Sequence, residues 1–358
     1  MTDVDALFAA VEALATDAHD ADACWRAAQQ HRVDLLAAHA LVSRPAVWPA
    51  LSRARLSAEL RDATAVALAH EQTLQRLLAA WTSAGVRPIL LKGEALAYTH
   101  YEEPYLRRRT DIDVLVRPEA RAEAEAVLRR CGFDREADSQ AEVWNAQSHW
   151  RSTGTHLPTA VDLHWRPVNA VAFAEALPLA LFERHAVPSP AHDARVPGPE
   201  LALLFASVHR VAHHYDAPLL LWLFDLHVLV RALGPHGVER TCALALDLNL
   251  GPVLARSLRR THEALGTPLD GVPLEQLERG ALGAGMAPFL SAPSGVRLLW
   301  SDARALGHWS ARVALLREHL LPPVAYMRTR YPRLPRWALP VGYVDRVVRG
   351  LPAWLRRR

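Results

Sequence analysis

Residues 109–116 read RTDIDVLV, and Arg117 and Pro118 follow. Branched apolar residues that end at a proline are typical of a β-strand. Because strand side chains alternate between faces, Asp111 and Asp113 share one face and Ile112 lies on the other. Two neighbouring carboxylates repel each other unless a cation neutralises them. We favour a site for a hard cation such as Mg²⁺ or Mn²⁺ over two solvated surface aspartates.

A second strand with acidic character is predicted at residues 159–167, which read TAVDLHWRP and also end in a proline. Asp162 and His164 share one face of this strand. If it pairs beside the strand at 109–116, Asp111, Asp113 and Asp162 converge on one point. Three converging carboxylates suit two-metal phosphoryl or nucleotidyl transfer, in which one ion holds a triphosphate and the other activates an acceptor hydroxyl.

Lys92 is the only lysine among the 41 basic residues of the chain. It follows the apolar run 88–91 and precedes Gly93. Lysine is a compact point charge that reaches phosphate in a narrow site, so its position indicates a phosphate contact rather than chance retention. A helix expected from about Glu94 to Tyr101 would direct its positive N-terminal end at an anion bound there.

These motifs together resemble a known family. The resemblance is to the nucleotidyltransferase-like proteins of bacteria, an uncharacterised branch of the polymerase-β-type nucleotidyltransferase superfamily. It is carried, in order, by LLKG at 90–93, Tyr98, Arg109, DIDVLV at 111–116 and VDLHW at 161–165. A weaker likeness extends it to roughly residues 25–345 through His209, His213, Trp222 and Asp225.

The resemblance implies an enzyme that transfers a nucleoside monophosphate from an NTP, with ATP as the default, to an acceptor and releases pyrophosphate. It implies that Asp111 and Asp113 bind Mg²⁺ or Mn²⁺ and that Asp162 completes the metal site and helps activate the acceptor. Lys92, with Gly93 allowing close backbone approach, would contact the triphosphate. Arg109 would add a phosphate contact or be a surface charge, and His164 would orient the acceptor or Asp162, or end the strand.

The sequence departs from the superfamily at Gly93-Glu94, where Gly-Ser or Gly-Gly is usual. An anion beside the phosphates is unfavourable unless its side chain points away. This departure supports one alternative, a catalytically reduced accessory protein that binds a nucleotide or a peptide. A second alternative, an antitoxin-like modifier of a protein or RNA partner, is supported only by the basic C-terminal segment. The acceptor is therefore open among small molecules, peptides, proteins and RNA.

The composition favours a cytoplasmic protein with no transmembrane segment. The formal net charge is only +3 over 358 residues, which indicates no overall affinity for nucleic acid. Cys24, Cys131 and Cys242 are isolated, which argues against a disulfide framework and a thiolate zinc site. The N-terminus is acidic where a signal peptide would be basic, and no uncharged apolar run approaches the roughly 20 residues that span a bilayer.

The predicted fold class is α+β, a small mixed sheet flanked by helical regions. We predict a helical region at 1–80, a nucleotidyltransferase-like core at 81–198 and a helical C-terminal domain with an arginine-rich tail at 199–358. The core is expected to be a β-α-β unit with an added strand, in which the strand at 86–91 leads into Lys92. Helices are expected at 6–15, 23–31, 33–41, 56–80, 118–130, 200–214 and 218–233.

Two further features leave alternatives open. His209 and His213 lie at i and i+4 of a predicted helix, but no glutamate lies between them as a His-Glu-x-x-His zinc motif requires. We favour histidines that line a cleft or fill the core, with contacts to a nucleotide base or the acceptor as a weaker option. The tail at 328–358 mixes arginines with aromatics, which suits nucleic acid, an anionic membrane, an acidic partner or a leader peptide. For the tail, we favour packing against the C-terminal domain.

Overall fold

The computed structural model describes residues 3–44, 47–48, 51–136, 145–153, 157–291 and 294–355. Within these ranges the α-helices are α1 (Asp3–Leu14), α2 (Ala21–Gln30), α3 (Asp34–Ser43), α4 (Arg53–Ser83), α5 (Lys92–Thr99), α6 (Arg121–Arg130), α7 (Val171–Ala174), α8 (Leu179–His185), α9 (Pro199–Ala212), α10 (Leu220–Asp247), α11 (Gly251–Leu265), α12 (Leu274–Arg279), α13 (Gly295–Ala305), α14 (Trp309–Leu320), α15 (Val324–Arg330) and α16 (Leu339–Leu355). The strands are β1 (Ile89–Leu90), β2 (Asp111–Leu115), β3 (Phe133–Arg135), β4 (Gln147–Ser152), β5 (Ala160–His164), β6 (Ala186–Pro188) and β7 (Arg195–Pro197).

The strands form one mixed sheet in the order β3-β4-β5-β2-β1-β7-β6. The pairs β2–β5 and β1–β7 are parallel, and the remaining neighbours are antiparallel. The predicted α+β class with a mixed sheet flanked by helices is confirmed. The sheet is larger than the predicted β-α-β unit with one added strand, because β6 and β7 extend it. These two strands are short and end in Pro188 and Pro197, so they lack the alternation that marks a strand in sequence.

Strands β2 and β5 pair in the parallel register that brings the acidic motifs together. Asp113 lies opposite Asp162, and Leu115 lies opposite His164. The apolar residues of both strands face a buried cluster beneath the sheet that includes the end of α4 and part of α6; these strand residues are Ile112, Val114, Val161 and Leu163. Asp113, Asp162 and His164 consequently share the opposite face.

Helices from both ends of the chain cover that opposite face. Trp25 and Leu41 of the N-terminal helices lie in the same hydrophobic cluster as Leu204 of α9 and Leu254 of α11. Leu115, next to the acidic pair on β2, belongs to this cluster as well. Apolar helices thus cover the polar face of the sheet, and this limits the access of solvent to it. The domain boundaries that the sequence suggests at residues 80 and 198 remain predictions.

The connection from β1 to α5 is tighter than predicted. We expected a strand over 86–91, but ladder pairing covers only Ile89 and Leu90, since Pro88 has no N–H to donate. The Leu91 N–H donates to the Asp113 carbonyl at 2.9 Å, and the helix begins at Lys92, two residues earlier than predicted. Gly85 follows the end of α4 with φ of 74°, a left-handed conformation that favours glycine after a helix.

Candidate active site

Lys92 is the first residue of α5 and adopts a left-handed backbone conformation, with φ of 49°. For a residue with a Cβ this conformation costs about 1–2 kcal/mol, so the surrounding structure has to enforce it. The turn brings the side chain to β2, where Nζ lies 2.6 Å from Asp113 Oδ1. Nζ also lies 3.4 Å from His164 Nε2. The single lysine of the chain therefore lies at the acidic site, as its sequence position predicts.

Asp113, Lys92 and His164 form a buried charge cluster. His164 is fully buried, and its Nε2 lies 2.9 Å from Asp113 Oδ1. Burial by itself would raise the pKa of Asp113, but Lys92 and His164 outweigh it and hold that pKa well below its usual range. Burial also opposes the charge of Lys92, yet Asp113 raises the lysine pKa overall. Burial and then Lys92 lower the pKa of His164, so the cluster is an ion pair beside a neutral imidazole.

Asp113, Asp162 and His164 are placed to hold a metal ion. One ligand atom from each lies within 4.8 Å of the other two. Asp162 is held in turn by β4, because His149 Nδ1 lies 2.5 Å from Asp162 Oδ1. Gln147 Nε2 donates to Asp162 Oδ2 at 3.4 Å. The sequence interpretation missed His149 and Gln147, although their spacing puts them on one face of a strand.

Asp111 lines the same cavity but is not a member of that three-residue group. Asp111 lies opposite Ala160 in the pairing of β2 with β5, two residues before the point where Asp113 lies opposite Asp162. Burial, then the negative charges of Asp113 and Asp162, raise the pKa of Asp111 to about 6. The site thus carries more negative charge than Lys92 alone compensates, which favours the entry of a cation.

Glu94 points away from the cavity into the protein interior. Its side chain is fully buried, does not line the cavity, and accepts a hydrogen bond from Arg109 Nη1 at 2.9 Å. The Arg109 guanidinium also lies 5.0 Å from the centroid of the Tyr98 ring. His70 Nδ1 lies 3.7 Å from Glu94 Oε2. Burial raises the pKa of Glu94 to about 7, although Arg109 works against that rise. Arg109 lines the cavity and is also the ion-pair partner of Glu94.

The cavity has a volume of about 340 Å³ and a wall rich in cations. Arg107 donates to both carboxylate oxygens of Asp225, at 3.0 and 2.7 Å. Tyr101 donates to the same carboxylate at 2.7 Å. Arg108 forms an ion pair with buried Asp34. The partners of Asp225 come from the segment before β2, 118 and 124 residues away in sequence.

Histidines of the C-terminal helices form another part of the cavity wall. The rings of His209 and His213 stack with centroids 4.9 Å apart, and those of His214 and Trp222 stack at 3.7 Å. All four line the cavity, and for His209 and His213 this agrees with the interpretation that they line a cleft. Burial, then Lys92, lowers the pKa of each of the three histidines, which keeps them neutral. Among the residues that the structure describes, none of them joins a group that could hold a metal ion.

The fold and the paired aspartates define a protein of the nucleotidyltransferase class. The chain belongs to the uncharacterised nucleotidyltransferase family, whose model matches residues 17–266, so the resemblance stated from the sequence is confirmed. Membership of this family supports nucleotidyl transfer as its general activity. No curated protein matches the chain.

Among solved structures, the chain is similar to the crystal structure of JHP933 from Helicobacter pylori, at 12% identity and a TM-score of 0.32. That match covers 71% of this chain and 94% of the other. No helix in the described part of the chain is both long and apolar enough to cross a membrane.

Proposed function

We propose that the protein is an enzyme that transfers a nucleoside monophosphate from an NTP to an acceptor at the cavity above β2 and β5, with a divalent cation. The observation that carries this proposal is the register in which Asp113 lies directly opposite Asp162. Lys92 lies beside this pair at the start of α5, whose N-terminal end favours anions. Carboxylates next to a lysine and a helix N-terminus match what a metal-bound triphosphate requires.

The donor atoms present fit Mg²⁺ or Mn²⁺. Asp113 and Asp162 offer carboxylate oxygens and His164 offers a ring nitrogen, all within reach of one ion. Asp111 adds a further carboxylate at the cavity wall. His164 Nδ1 is buried and has no hydrogen-bond partner in the described part of the chain. When bound, the ion neutralises the triphosphate and lowers the pKa of the acceptor hydroxyl.

The chain's own groups account for the rest of the reaction. Lys92 binds the triphosphate oxygens, and Gly93 has no Cβ to obstruct them. An acceptor oxygen forms a bond to the α-phosphorus while the bond from that phosphorus to the bridging oxygen of pyrophosphate breaks. The acceptor proton passes to Asp162, which His149 and Gln147 hold in place. Pyrophosphate leaves with the electron pair of the broken bond.

The Gly93-Glu94 departure is compatible with this chemistry. Glu94 is buried behind the cavity and paired with Arg109, so its charge is compensated before any phosphate approaches. Its carboxylate also takes no part in lining the cavity. Since the Glu94 carboxylate points away from the cavity, the repulsion of phosphates that the sequence suggested does not apply.

Calorimetric titration with ATP, GTP, CTP and UTP, with and without Mg²⁺, tests the proposal. We expect Mg²⁺-dependent binding of at least one nucleotide by the native protein and its loss in Asp113→Asn. Asp134→Asn, which makes the same change at an exposed residue of β3, is the matched control and should bind normally. Pyrophosphate release with candidate acceptors then measures turnover by the nucleotide that binds.

The outcomes separate catalysis from binding. If no nucleotide binds to the folded native protein, the proposal is wrong. The Lys92–Asp113 ion pair, at 2.6 Å, favours one other candidate, because it occupies a carboxylate oxygen that a metal ion needs. A protein that binds a nucleotide or peptide without turnover would bind with no Mg²⁺ requirement, and no acceptor would release pyrophosphate.

A further inference from the structure

The charge of the chain is divided unequally along its length. Residues 294–358 contain 13 arginines and three acidic residues, a formal net charge of +10. The preceding 293 residues contain 28 basic and 35 acidic residues, a net charge of −7. The overall charge of +3 therefore conceals a strongly basic C-terminal segment attached to an acidic body. Such a segment attracts an anionic surface.

The same segment exposes most of the large apolar side chains that lie on the described surface. Of the 19 such residues, 13 lie between Val296 and Leu355. Trp309 and Trp337 are 76% and 83% exposed. The helices of the segment bury few side chains in return, since α14 buries only Leu315 and α15 only Met327. We call α13 to α16 with their connections (residues 294–355) the C-terminal segment.

The exposed apolar residues fall into stripes rather than scattering. On α14, Trp309, Val313 and Leu316 recur at spacings of four and three residues, which places them on one helix face. On α16, Val341, Val344, Val348 and Leu355 share one face in the same way, and all four are exposed. Helices α13 and α16 contact each other, as do α13 and α14. These two helices of one small unit thus leave stripes of apolar side chains exposed.

A cavity of about 230 Å³ opens among α14, α15 and α16. Arg330 and Arg346 line it together with the apolar side chains of Leu320 and Val347. Arg346 is held in position, because its Nη1 donates to the His319 carbonyl at 2.7 Å. Arg330 makes no short ion pair or hydrogen bond in the described part of the chain, and its charge acts on Asp345 only from a distance. Two guanidinium groups beside an apolar wall suit a phosphate group that carries an acyl tail.

We propose that the C-terminal segment binds the surface of an anionic phospholipid bilayer. The stripes on α14 and α16, with the exposed tryptophans, enter the interfacial layer, and the arginines contact the lipid phosphates. The cavity lined by Arg330 and Arg346 receives one headgroup. The nucleotide cavity is built from other residues, so this proposal is independent of the proposed transfer reaction.

The pairing of apolar stripes with arginines decides among anionic partners. Nucleic acid would use the arginines and tryptophans but gains little from exposed valines and leucines. A symmetric dimer formed through this segment would place two equally basic surfaces against each other, and they would repel. A bilayer satisfies both features at once, because its interface is anionic and its interior is apolar.

Flotation with vesicles tests this proposal on the full-length protein. We expect the native chain to float with phosphatidylcholine vesicles that contain about one third phosphatidylglycerol and to remain behind with phosphatidylcholine alone. High salt should weaken the binding. Val344→Asp should lower the partition coefficient about ten-fold or more, since a buried valine contributes roughly that factor. Leu68→Asp on α4, at a leucine exposed to a similar extent, should leave it unchanged.

Charge reversal tests the electrostatic half separately. Arg333→Glu combined with Arg336→Glu, both just before Trp337 in the C-terminal segment, should reduce partitioning by about 100-fold or more. Each unit of charge near an anionic surface contributes several-fold, and the two reversals change the charge by about four units. Arg53→Glu with Arg61→Glu on α4 makes the same charge change outside that segment and should have little effect. Circular dichroism and thermal unfolding of every variant establish that it is folded.

Several results would overturn the inference. Equal flotation with neutral and anionic vesicles, or no flotation by the folded native protein, contradicts it. So does an equal loss of binding in the variants on α4. If Val344→Asp instead converts a dimer into a monomer in sedimentation without changing flotation, the stripe is a protein interface. RNA binding in the absence of vesicle binding would likewise assign the segment to another partner.

Discussion

Glu94→Gln should make the stability of the protein respond differently to pH. Glu94 is fully buried, and its carboxylate accepts a hydrogen bond from Arg109. Burial raises the pKa of Glu94 from 4.5 to about 7 in spite of that partner. Glutamine has the same shape and keeps an oxygen for the Arg109 hydrogen bond, but it never ionises. The substitution therefore removes one titration and leaves the packing nearly unchanged.

The size of the effect follows from the shift in the pKa of Glu94. Between pH 4.5 and pH 7 the unfolded chain has lost this proton while the folded chain retains it, so stability falls as pH rises. The full shift corresponds to about 3 kcal/mol, and most of it, about 2 kcal/mol, develops between pH 5 and pH 8. The Glu94→Gln variant has no carboxyl group to titrate at this position, so its stability does not fall in this way as pH rises. Relative to wild type, the variant should gain about 2 kcal/mol in free energy of unfolding across that range.

Urea unfolding at pH 5, 6, 7 and 8, followed by circular dichroism, measures this difference. Burial lowers the pKa of His70, next to Glu94, to about 4. His70 contributes stability that is lost as pH falls below about 6.5, the opposite trend. Because His70 lies only 3.7 Å from Glu94, its titration is removed from both proteins by a His70→Gln background. Glu119→Gln, at an exposed glutamate, serves as the control and should follow the wild type at every pH.

One result would refute this reasoning. If Glu94→Gln loses stability relative to wild type on going from pH 5 to pH 8, the Arg109 ion pair outweighs the desolvation of Glu94. The carboxylate would then be ionised throughout this range. A buried ion pair with good geometry can behave in this way, so the sign of the change distinguishes the two cases.

Two further substitutions probe the site. Lys92→Met should destabilise the protein by about 3–5 kcal/mol in urea unfolding without divalent ions, because Asp113 then remains charged and buried beside neutral His164. Mg²⁺ should restore more stability to this variant than to wild type. An equal response of the two proteins would argue against Mg²⁺ binding at Asp113. Gly93→Ala would place a Cβ 2.7 Å from Arg107 Nη1, and Asp225 holds that guanidinium in position through its Nε and Nη2, so we expect a loss of about 1–3 kcal/mol. Gly307→Ala, which meets no atom within 4 Å, is its control, and equal losses in the two variants would refute the steric argument.

The sequence predicted the acidic strands because their information is local. Alternation in RTDIDVLV and in VDLHW sets which side chains share a face. That β2 and β5 lie side by side was only a condition of the sequence argument, and their parallel direction was not predicted. Strands β6 and β7 were missed since each has only three residues and ends in proline. Their pairing at the edge of the sheet depends on neighbours distant in sequence, which no local pattern records.

The polar partners of the site were mostly not predictable for the same reason. Asp225 binds Arg107 across 118 residues, and Asp34 binds Arg108 across 74. The sequence showed three consecutive arginines at 107–109 but gave no sign that each has its own buried carboxylate. Only the fold brings a helix from the C-terminal half and one from the N-terminal region to the same segment before β2. Those ion pairs fix the arginines at the rim of the cavity.

Glu94 and Arg109 have to be considered together, because each changes what the other can do. From the sequence alone, Glu94 is an anion that would repel the phosphates, and Arg109 is a candidate phosphate ligand. In the fold, Arg109 lines the cavity while its Nη1 is bound to Glu94. When Glu94 is protonated, the guanidinium charge is left uncompensated at the cavity wall, and when Glu94 ionises, that charge is largely neutralised. With the pKa of Glu94 at about 7, the net charge of the Arg109–Glu94 pair at the cavity wall depends on pH near neutrality.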